Sequence, residues 1–390
     1  MGKDVIRDRN RRLKNSPETD SPLTNSQRRI LDLVFRKGAL TQADITVTAD
    51  LTQQSVSRII SGLTDCAMLK SGKRVSSGKR GYPSATVEIN PGFTHAFGIS
   101  VMTDAVSVAL IDFSGTVLHE QKRGFTAMPL DAVVDWIAAT LDTIRADHMP
   151  DNSRIAGAGV GIPGSFIGND IGFNTSHMLE DWAHIDLEAI LSERLGLEVW
   201  TDNDGNVAAL GESMVGVGRW ASSFAYLHLA TGVGGGIVLN NDLWRGRYGN
   251  AGEFAGGLPP NIYPFPNLEL LRHLVSQDGL LFSNVNEMVA AFDPAWPAID
   301  NWINKVRDSL SIIASNVTAI LDLDAIVLGG RMPRLLAERV IPQIELYDQK
   351  RRSIARPTAR LVPAEAQGDA AAIGAALLPL KHKYFTAPEN

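Results

Sequence analysis

Cysteine is nearly absent from this 390-residue chain, whose only thiol belongs to Cys66. A single cysteine excludes an internal disulfide framework and any zinc site built from several thiolates, and it fits a reducing cytoplasm. The sequence also has no apolar run near the ~20 residues of a membrane-spanning helix. Its charged N-terminus has no apolar segment like that of a secretory signal peptide. We therefore expect a cytoplasmic protein that does not associate with a membrane.

Charge is unevenly distributed along the chain. Residues 1–90 contain 16 Lys and Arg against 9 Asp and Glu, whereas the remaining 300 residues contain 21 against 34. A chain of this length is expected to fold into two or three domains. The net charges of +7 and −13 therefore predict a basic N-terminal part that meets a polyanion and an acidic body that does not.

The basic N-terminal part has the pattern of a helix-turn-helix. Residues 1–22 are polar and rich in Arg, and we expect a flexible arm that is either a solvated tail or a contact to phosphates. Apolar residues at helical spacing then predict three short helices, with Thr41 and Thr52 as N-caps of the second and third. The exposed face of the third helix carries polar side chains that suit base edges and phosphates, namely Gln53, Gln54, Ser57 and Arg58.

A short basic hairpin follows the third helix. Two predicted strands, 67–70 and 85–89, flank a loop rich in Gly, Ser, Lys and Arg, which is the pattern of a wing. Its cationic side chains, Lys73, Arg74, Lys79 and Arg80, would lie along the backbone of a DNA duplex. A protein-binding winged helix has the same outline, but the basic wing and the polar helix face favour double-stranded DNA. Residues 23–90 are therefore predicted to be a winged helix-turn-helix domain.

Residues 91–390 repeat one α/β pattern twice. Three closely spaced strands, a helix, a buried strand and a further helix precede Trp200, and a similar order resumes at Phe224. Glycine turns end several of these strands, for example at residues 161–164. Two such lobes predict a cleft near residues 203–257, because ligands of α/β sheets bind beyond the strand ends.

Residues 229–257 form a glycine-rich stretch with nine glycines. An apolar strand that ends at Leu229 leads into it, the next strand is expected to begin at Gly236, and the carboxylate Glu253 lies in its second glycine cluster. Backbone without Cβ can approach a ligand closely, and consecutive N–H groups can bind an anion. The same residues are also used simply to turn a hairpin, so the pattern alone leaves both interpretations open.

A polar cluster, TDNDGN at residues 201–206, directly follows a predicted buried strand. This position places Asn203 and Asp204 at the edge of the cleft. Asp204 can act there as a general base towards a hydroxyl, and Asn203 can hydrogen-bond a neighbouring hydroxyl. Both residues can also cap the helix that begins near Asn206, and the two roles are compatible.

In combination these motifs resemble the ROK family of repressors and sugar kinases, from about residue 23 to residue 380. The resemblance rests on LTQQSVSRIISGL and GKRGYPSATVEINPG in the basic part, and in the body on GVGIPG (159–164), NDGN (203–206), TGVGGGIVLN (231–240), GNAGE (249–253), IVLGG (326–330) and GDAAAIGAA (368–376). It implies an α/β fold in which the N-terminal winged helix-turn-helix is followed by a two-lobed actin/hexokinase-like (ribonuclease H-like) ROK domain over residues 91–390.

The chain departs from the kinases of that family at two places. Those kinases position the phosphates and metal of a nucleotide with an Asp-x-Gly-Gly-Thr turn, but here Ser100 replaces the Asp, and Met102 and Thr103 replace the glycines. We therefore expect no nucleotide cofactor. The family's zinc loop contains a His and several Cys, but here Gly256 stands at the His position and a Pro-rich segment at the Cys positions, so we also expect no metal.

The resemblance implies a sugar-responsive DNA-binding transcriptional regulator, a repressor of carbohydrate-utilisation genes that senses a sugar without phosphorylating it. The expected partners are a double-stranded DNA operator, a sugar or sugar-derivative effector, and further copies of the chain in a homodimer or homotetramer. The expected sugar-binding residues are Gly164, Asn203, Asp204, Glu253 and Glu269, with Asp204 as a vestigial base. The alternative is an active ATP-dependent sugar kinase with an appended DNA-binding domain, which the retained Asp204 and residues 231–236 leave open.

Overall fold

The computed structural model describes residues 23–75, 84–149, 153–167, 172–259, 261–347 and 356–385. The expected arm at residues 1–22 and the wing residues Lys79 and Arg80 lie outside these ranges. The described part consists of a three-helix N-terminal region and two larger α/β lobes. Among its helices, none combines the length and the apolar character that crossing a membrane requires.

The N-terminal region has the predicted winged helix-turn-helix fold. It contains helices α1 (Asn25–Lys37), α2 (Gln42–Ala49) and α3 (Gln53–Asp65) and strands β1 (Leu40–Thr41), β2 (Leu69–Val75) and β3 (Ser84–Ile89). Thr41 and Thr52 cap α2 and α3 as predicted, because each side-chain oxygen accepts the backbone N–H three residues further on. The strands form an antiparallel sheet in the order β1-β3-β2. Buried Ile30, Val56 and Leu63 pack the helices together, so that α3 turns its polar face outward.

The first lobe is built on a five-stranded sheet. Its chain order is β4 (His95–Val101), β5 (Ala105–Asp112), β6 (Val117–Gly124), helix α4 (Leu130–His148), β7 (Ile155–Ile162), a small hairpin of β8 (Ser165–Phe166) and β9 (Phe173–Asn174), helix α5 (Leu187–Leu195) and β10 (Val199–Asn203). The spatial order is β10-β7-β4-β5-β6. β4, β5 and β6 are antiparallel neighbours, whereas β7 runs parallel to β4 and β10 runs parallel to β7.

The second lobe repeats this arrangement, as the sequence predicts. Helix α6 (Asp204–Val215) leads into it. Its chain order is β11 (Phe224–Leu229), β12 (Val233–Leu239), β13 (Asp242–Trp244), α7 (Leu268–Gln277), α8 (Val285–Ala290), α9 (Pro297–Leu321), β14 (Ala325–Gly330), α10 (Arg334–Val340), β15 (Arg360–Pro363) and α11 (Ala370–Tyr384). The sheet order is β13-β12-β11-β14-β15. In both lobes the first strand and the two strands on one side of it alternate in direction, so that each is antiparallel to its neighbour. The two strands on its other side run parallel to it.

The central glycines lie in a strand rather than in a turn, which corrects the sequence prediction. β12 begins at Val233 instead of Gly236. A Cβ on Gly235 would stand 2.3 Å from the carbonyl oxygen of Tyr226, and a Cβ on Gly236 would stand 2.7 Å from the Cβ of Ala209 on α6. These glycines therefore permit close packing inside the second lobe and against α6.

Helices α6 and α11 pack against each other in the core between the two sheets. A Cβ on Gly374 would lie 1.7 Å from the carbonyl oxygen of Val207, and a Cβ on Gly211 would lie 2.8 Å from that of Ala370. The two glycines therefore bring the helix backbones into direct contact. Both helices are buried along almost their whole length.

Candidate functional site

A cavity of about 430 Å³ opens between the two lobes. This volume lies in the ordinary range of small-molecule sites. Its walls come from strand ends and turns of both lobes, as expected for α/β sheets. Four of the five sugar-binding candidates line it, namely Gly164, Asn203, Asp204 and Glu253.

Asn203 holds one wall of the cavity in place. Its side-chain Oδ1 accepts the backbone N–H groups of Gly205 (2.8 Å) and Asn206 (3.3 Å), which makes it the N-cap of α6. Its Nδ2 donates to the carbonyl oxygen of Gly164 at 3.0 Å. Gly164 itself has φ +147°, and a Cβ there would lie 2.7 Å from the carbonyl oxygen of Asn174, so only glycine fits this turn. The helix-capping alternative for Asn203 is therefore confirmed.

Asp204 lies at the centre of a small group of titratable side chains. It is the first residue of α6, where the aligned peptide dipoles favour a negative charge. The buried His228 places its Nε2 3.6 Å from Asp204 Oδ2, while its Nδ1 is buried without a hydrogen-bond partner among the described residues. Burial and, secondarily, the charge of Asp204 raise the pKa of Glu253. Two carboxylates and an imidazole thus line the cavity and can hydrogen-bond the hydroxyl groups of a ligand.

Glu269 lies elsewhere. It occupies the first turn of α7, and its carboxylate pairs with Arg272 of the same helix, with Nε–Oε1 and Nε–Oε2 distances of 3.0 Å. It is not among the residues that line the cavity. The structure therefore brings four of the predicted sugar-binding residues together and leaves Glu269 apart.

The cavity lining also contains the segment that corresponds to the phosphate-binding turn of the family kinases. Ser100, Met102 and Thr103 all line it. The next residue, Asp104, forms a buried ion pair with Arg331 at the end of β14, with an Nη1–Oδ1 distance of 2.6 Å and side chains that are 5% and 6% exposed. Asp104 Oδ2 also accepts the backbone N–H of Asn286 at 2.9 Å. Asp104 thus joins this segment of the first lobe to two places on the second lobe.

The predicted DNA-binding side chains lie on the outside of the N-terminal region. The four residues of α3 that were predicted to face DNA, Gln53, Gln54, Ser57 and Arg58, are all exposed. Lys73 and Arg74 are exposed on β2. Such a cationic and amide-bearing surface can contact phosphates and base edges.

Sequence reasoning missed His228, Asp104 and Arg331. His228 did leave a signal, because it is a single polar residue within the apolar run FAYLHLA that enters the glycine-rich stretch. Arg331 directly follows the IVLGG motif, but its partner Asp104 lies 227 residues away, and no local pattern links the two. Within the described ranges, His, Cys, Asp and Glu side chains form no group of three or more that could hold a metal ion.

Comparisons with known proteins agree with this architecture. Residues 96–261 match the ROK family. A putative xylose repressor from Caldicellulosiruptor sp. is 27% identical to this chain over 77% of it and 82% of the relative. A glucokinase from Halalkalibacterium halodurans is 34% identical over 60% of this chain and 79% of the relative.

The fold also matches a solved structure across nearly the whole chain. The crystal structure of a ROK family transcriptional regulator, a homologue of the E. coli MLC protein, superposes with a TM-score of 0.67 at 20% identity and covers 91% of this chain and 95% of that one. The similar proteins thus include both repressors and sugar kinases. With the family match, the glucokinase relative and this shared fold, the chain belongs to the ROK family and has the fold of a ROK transcriptional regulator.

Proposed function

We propose that this protein is a sugar-responsive DNA-binding transcriptional regulator whose kinase-like domain senses a sugar without phosphorylating it. The proposal assigns DNA binding to residues 23–90 and sugar binding to the cavity of residues 91–390. It places the protein in the cytoplasm as a homodimer or homotetramer on a double-stranded operator, where it represses carbohydrate-utilisation genes. The xylose repressor relative and the shared regulator fold support this assignment.

The buried pair of Asp104 and Arg331 carries the argument against phosphoryl transfer. Phosphoryl transfer requires cations and backbone N–H groups that are free to hold the phosphates of a nucleotide. Here the segment that supplies that site in family kinases is tied to the opposite lobe by a 2.6 Å ion pair, and Ser100 stands where those kinases have a carboxylate. Nη1 of Arg331 is therefore already engaged with a protein carboxylate, whereas its Nε and Nη2 are buried without a hydrogen-bond partner in the described part of the chain.

Sugar recognition is assigned to the part of the cavity lining around Asp204. Asp204 and Glu253 present carboxylate oxygens, Asn203 fixes the backbone of Gly164, and His228 stands beside Asp204. Carboxylates form charge-assisted hydrogen bonds with neighbouring hydroxyls of a sugar ring. Because the cavity walls belong to both lobes, a sugar that fills it stabilises one relative position of the lobes over others.

The second candidate function is an active sugar kinase. One observation favours it, because Asp204 lies at the cavity wall together with residues 231–234, which resemble the glycine segment of the family kinases. An assay for ADP release with ATP, Mg²⁺ and a panel of pentoses and hexoses separates the two candidates. We expect no release above that of an Asp204→Asn variant. Sugar-dependent turnover in the wild type that the variant lacks would establish the kinase instead.

A further inference from the structure

Helix α1 of the DNA-binding region is held against the end of α6. The side chain of Arg36, which is 6% exposed, donates through Nη1 to the carbonyl oxygen (2.6 Å) and the hydroxyl (3.1 Å) of Ser213. Its Nη2 donates to the carbonyl oxygen of Asn241 at 3.1 Å, and its Nε to Asp32 at 2.9 Å. The last carbonyl groups of a helix lack partners within the helix and attract cations. Arg36 therefore fixes α1 to the C-terminal end of α6 through several directed bonds.

The same helix is also held against the end of α11. Arg28 Nη1 donates to the carbonyl oxygens of His382 (3.1 Å) and Phe385 (3.2 Å). The rings of Phe35 and Phe385 lie 4.8 Å apart. α1 therefore contacts the C-terminal ends of two helices of the sugar-kinase-like body at once.

Both of these helices begin at the cavity. Asn203 and Asp204, the N-cap and first residue of α6, line it, and so do Asp369 and Ala371 at the start of α11. At about 1.5 Å per residue the 12 residues of α6 span roughly 18 Å from the cavity to Arg36. The direct backbone contact at Gly374 leaves the two helices no room to slide independently. A displacement of the N-terminal ends of α6 and α11 at the cavity therefore also displaces their C-terminal ends, which contact α1.

We infer that α6 and α11 together transmit effector binding to the DNA-binding region, and that Arg36 is the residue that couples α6 to α1. The inference rests on the proposed function and adds its route of regulation. Removal of Arg36 leaves the cavity and the proposed DNA-reading face of α3 unchanged, so sugar binding and DNA binding persist, while the connection between them is weakened to the contacts that α1 makes with α11.

Cys66 provides a way to measure this connection. It is the only cysteine of the chain, it is exposed, and it stands at the C-cap of α3. One spin label is attached to Cys66 and a second to Lys305→Cys, at an exposed position of α9. Pulsed electron paramagnetic resonance then measures the distance between α3 and the body. The ligand is the member of a panel of glucose, xylose, galactose, mannose and N-acetylglucosamine that raises the melting temperature of the labelled protein most.

The expected result is a sugar-dependent shift of the mean distance in the otherwise wild-type protein. In Arg36→Met the sugar still raises the melting temperature, but the distance distribution is broader and its shift with the sugar is clearly smaller, because only the contacts of Arg28 and Phe35 with the end of α11 remain. Arg36→Lys keeps the charge without the fork of donors and should also reduce the shift. Arg29→Met, an exposed arginine on the same helix, is the matched control and should retain it.

Two results would overturn the inference while leaving the proposed function intact. One is a sugar that raises the melting temperature but leaves the wild-type distance unchanged. The other is an Arg36→Met variant whose distance shifts as in the wild type. If no sugar of the panel raises the melting temperature, the proposed function fails, and the inference fails with it.

Discussion

At the scale of single residues, the proposed sensor depends on a few side chains that the ends of strands and helices bring together. Asp204 stands at the helix N-terminus, with Asn203 as the cap before it and His228 opposite. Glu253 belongs to the glycine-rich stretch of the second lobe and lines the same cavity. Asn203 connects two of these parts, because its side chain bonds both Gly164 and the first turn of α6.

We predict that Asp204→Asn removes sugar binding while the fold persists. A sugar at about 100 times its Kd stabilises a binding protein by about 2.7 kcal/mol, so this gain should be present in the wild type and nearly absent in the variant. Thermal unfolding with and without the stabilising sugar measures it. Glu269→Gln is the matched control, because this glutamate pairs with Arg272 outside the cavity lining and should keep the full gain. If Glu269→Gln lost as much of the stabilisation by sugar as Asp204→Asn, Glu269 would have to be counted among the sugar-binding residues.

Glu253 gives the second residue-scale prediction, which concerns pH. Burial and the charge of Asp204 raise its pKa above the usual 4.5 in the folded protein. A carboxyl with a raised pKa contributes stability that is fully present below its unfolded pKa and is lost as the pH rises through the folded pKa. Melting temperatures measured upward from about pH 4 should therefore fall less in Glu253→Gln than in the wild type. The effect should be small, since the side chain is partly exposed. Parallel pH profiles of the two proteins would contradict it.

At the scale of elements, helices and strands differed in how far the sequence could predict them. The starts of α2 and α3 follow from local signals, the N-caps Thr41 and Thr52, and both helices begin as predicted. The predicted start of β12 was wrong because its glycines are required for close packing against α6 and β11. Such tertiary contacts leave no local pattern in the sequence. The ion pair of Asp104 and Arg331 was missed for the same reason, since its partners meet only after both lobes have folded.

The contact of α6 with α11 supplies a prediction at this scale. Gly374→Ala places a methyl group where a Cβ would lie 1.7 Å from the carbonyl oxygen of Val207, so the two helices must separate. We expect a loss of about 1–3 kcal/mol or more in the free energy of unfolding, measured by urea denaturation. Gly62→Ala in α3 is the control: a Cβ there has no neighbour within 4 Å in the described part of the chain, and alanine should gain about 0.5–1 kcal/mol through helix propensity. Equal effects in the two variants would argue against tight packing of α6 on α11.

At the scale of the whole molecule, side chains connect the two lobes at two places. In the first, the side chain of Asn250 accepts from the backbone N–H of Phe166 (2.7 Å) and donates to its carbonyl oxygen (2.8 Å). In the second, Asp104 and Arg331 form their buried pair. The relative position of the lobes is therefore held in part by side chains of the protein, and a sugar has to act on lobes that these contacts already join.

A double-mutant cycle tests the second of these bridges. Asp104→Asn or Arg331→Met alone leaves one buried charge without its partner, which should cost about 3–5 kcal/mol in the free energy of unfolding. The double variant Asp104→Asn/Arg331→Met removes both charges, so it should cost clearly less than the sum of the single changes. Urea denaturation of the four proteins measures the difference. Additive losses would mean that the two side chains do not interact as the structure shows.

Control of DNA binding by a sugar is the central claim, and one titration tests it most directly. Fluorescence anisotropy of labelled DNA from the region upstream of the gene is followed as protein is added, with and without the sugar that stabilises the protein, for the wild type and Asp204→Asn. The account predicts that the sugar changes the wild-type Kd for DNA by at least about tenfold, or roughly 1.4 kcal/mol. It also predicts that Asp204→Asn binds the same DNA equally well and ignores the sugar. A wild-type Kd that is the same with and without a sugar that stabilises the protein would contradict the account.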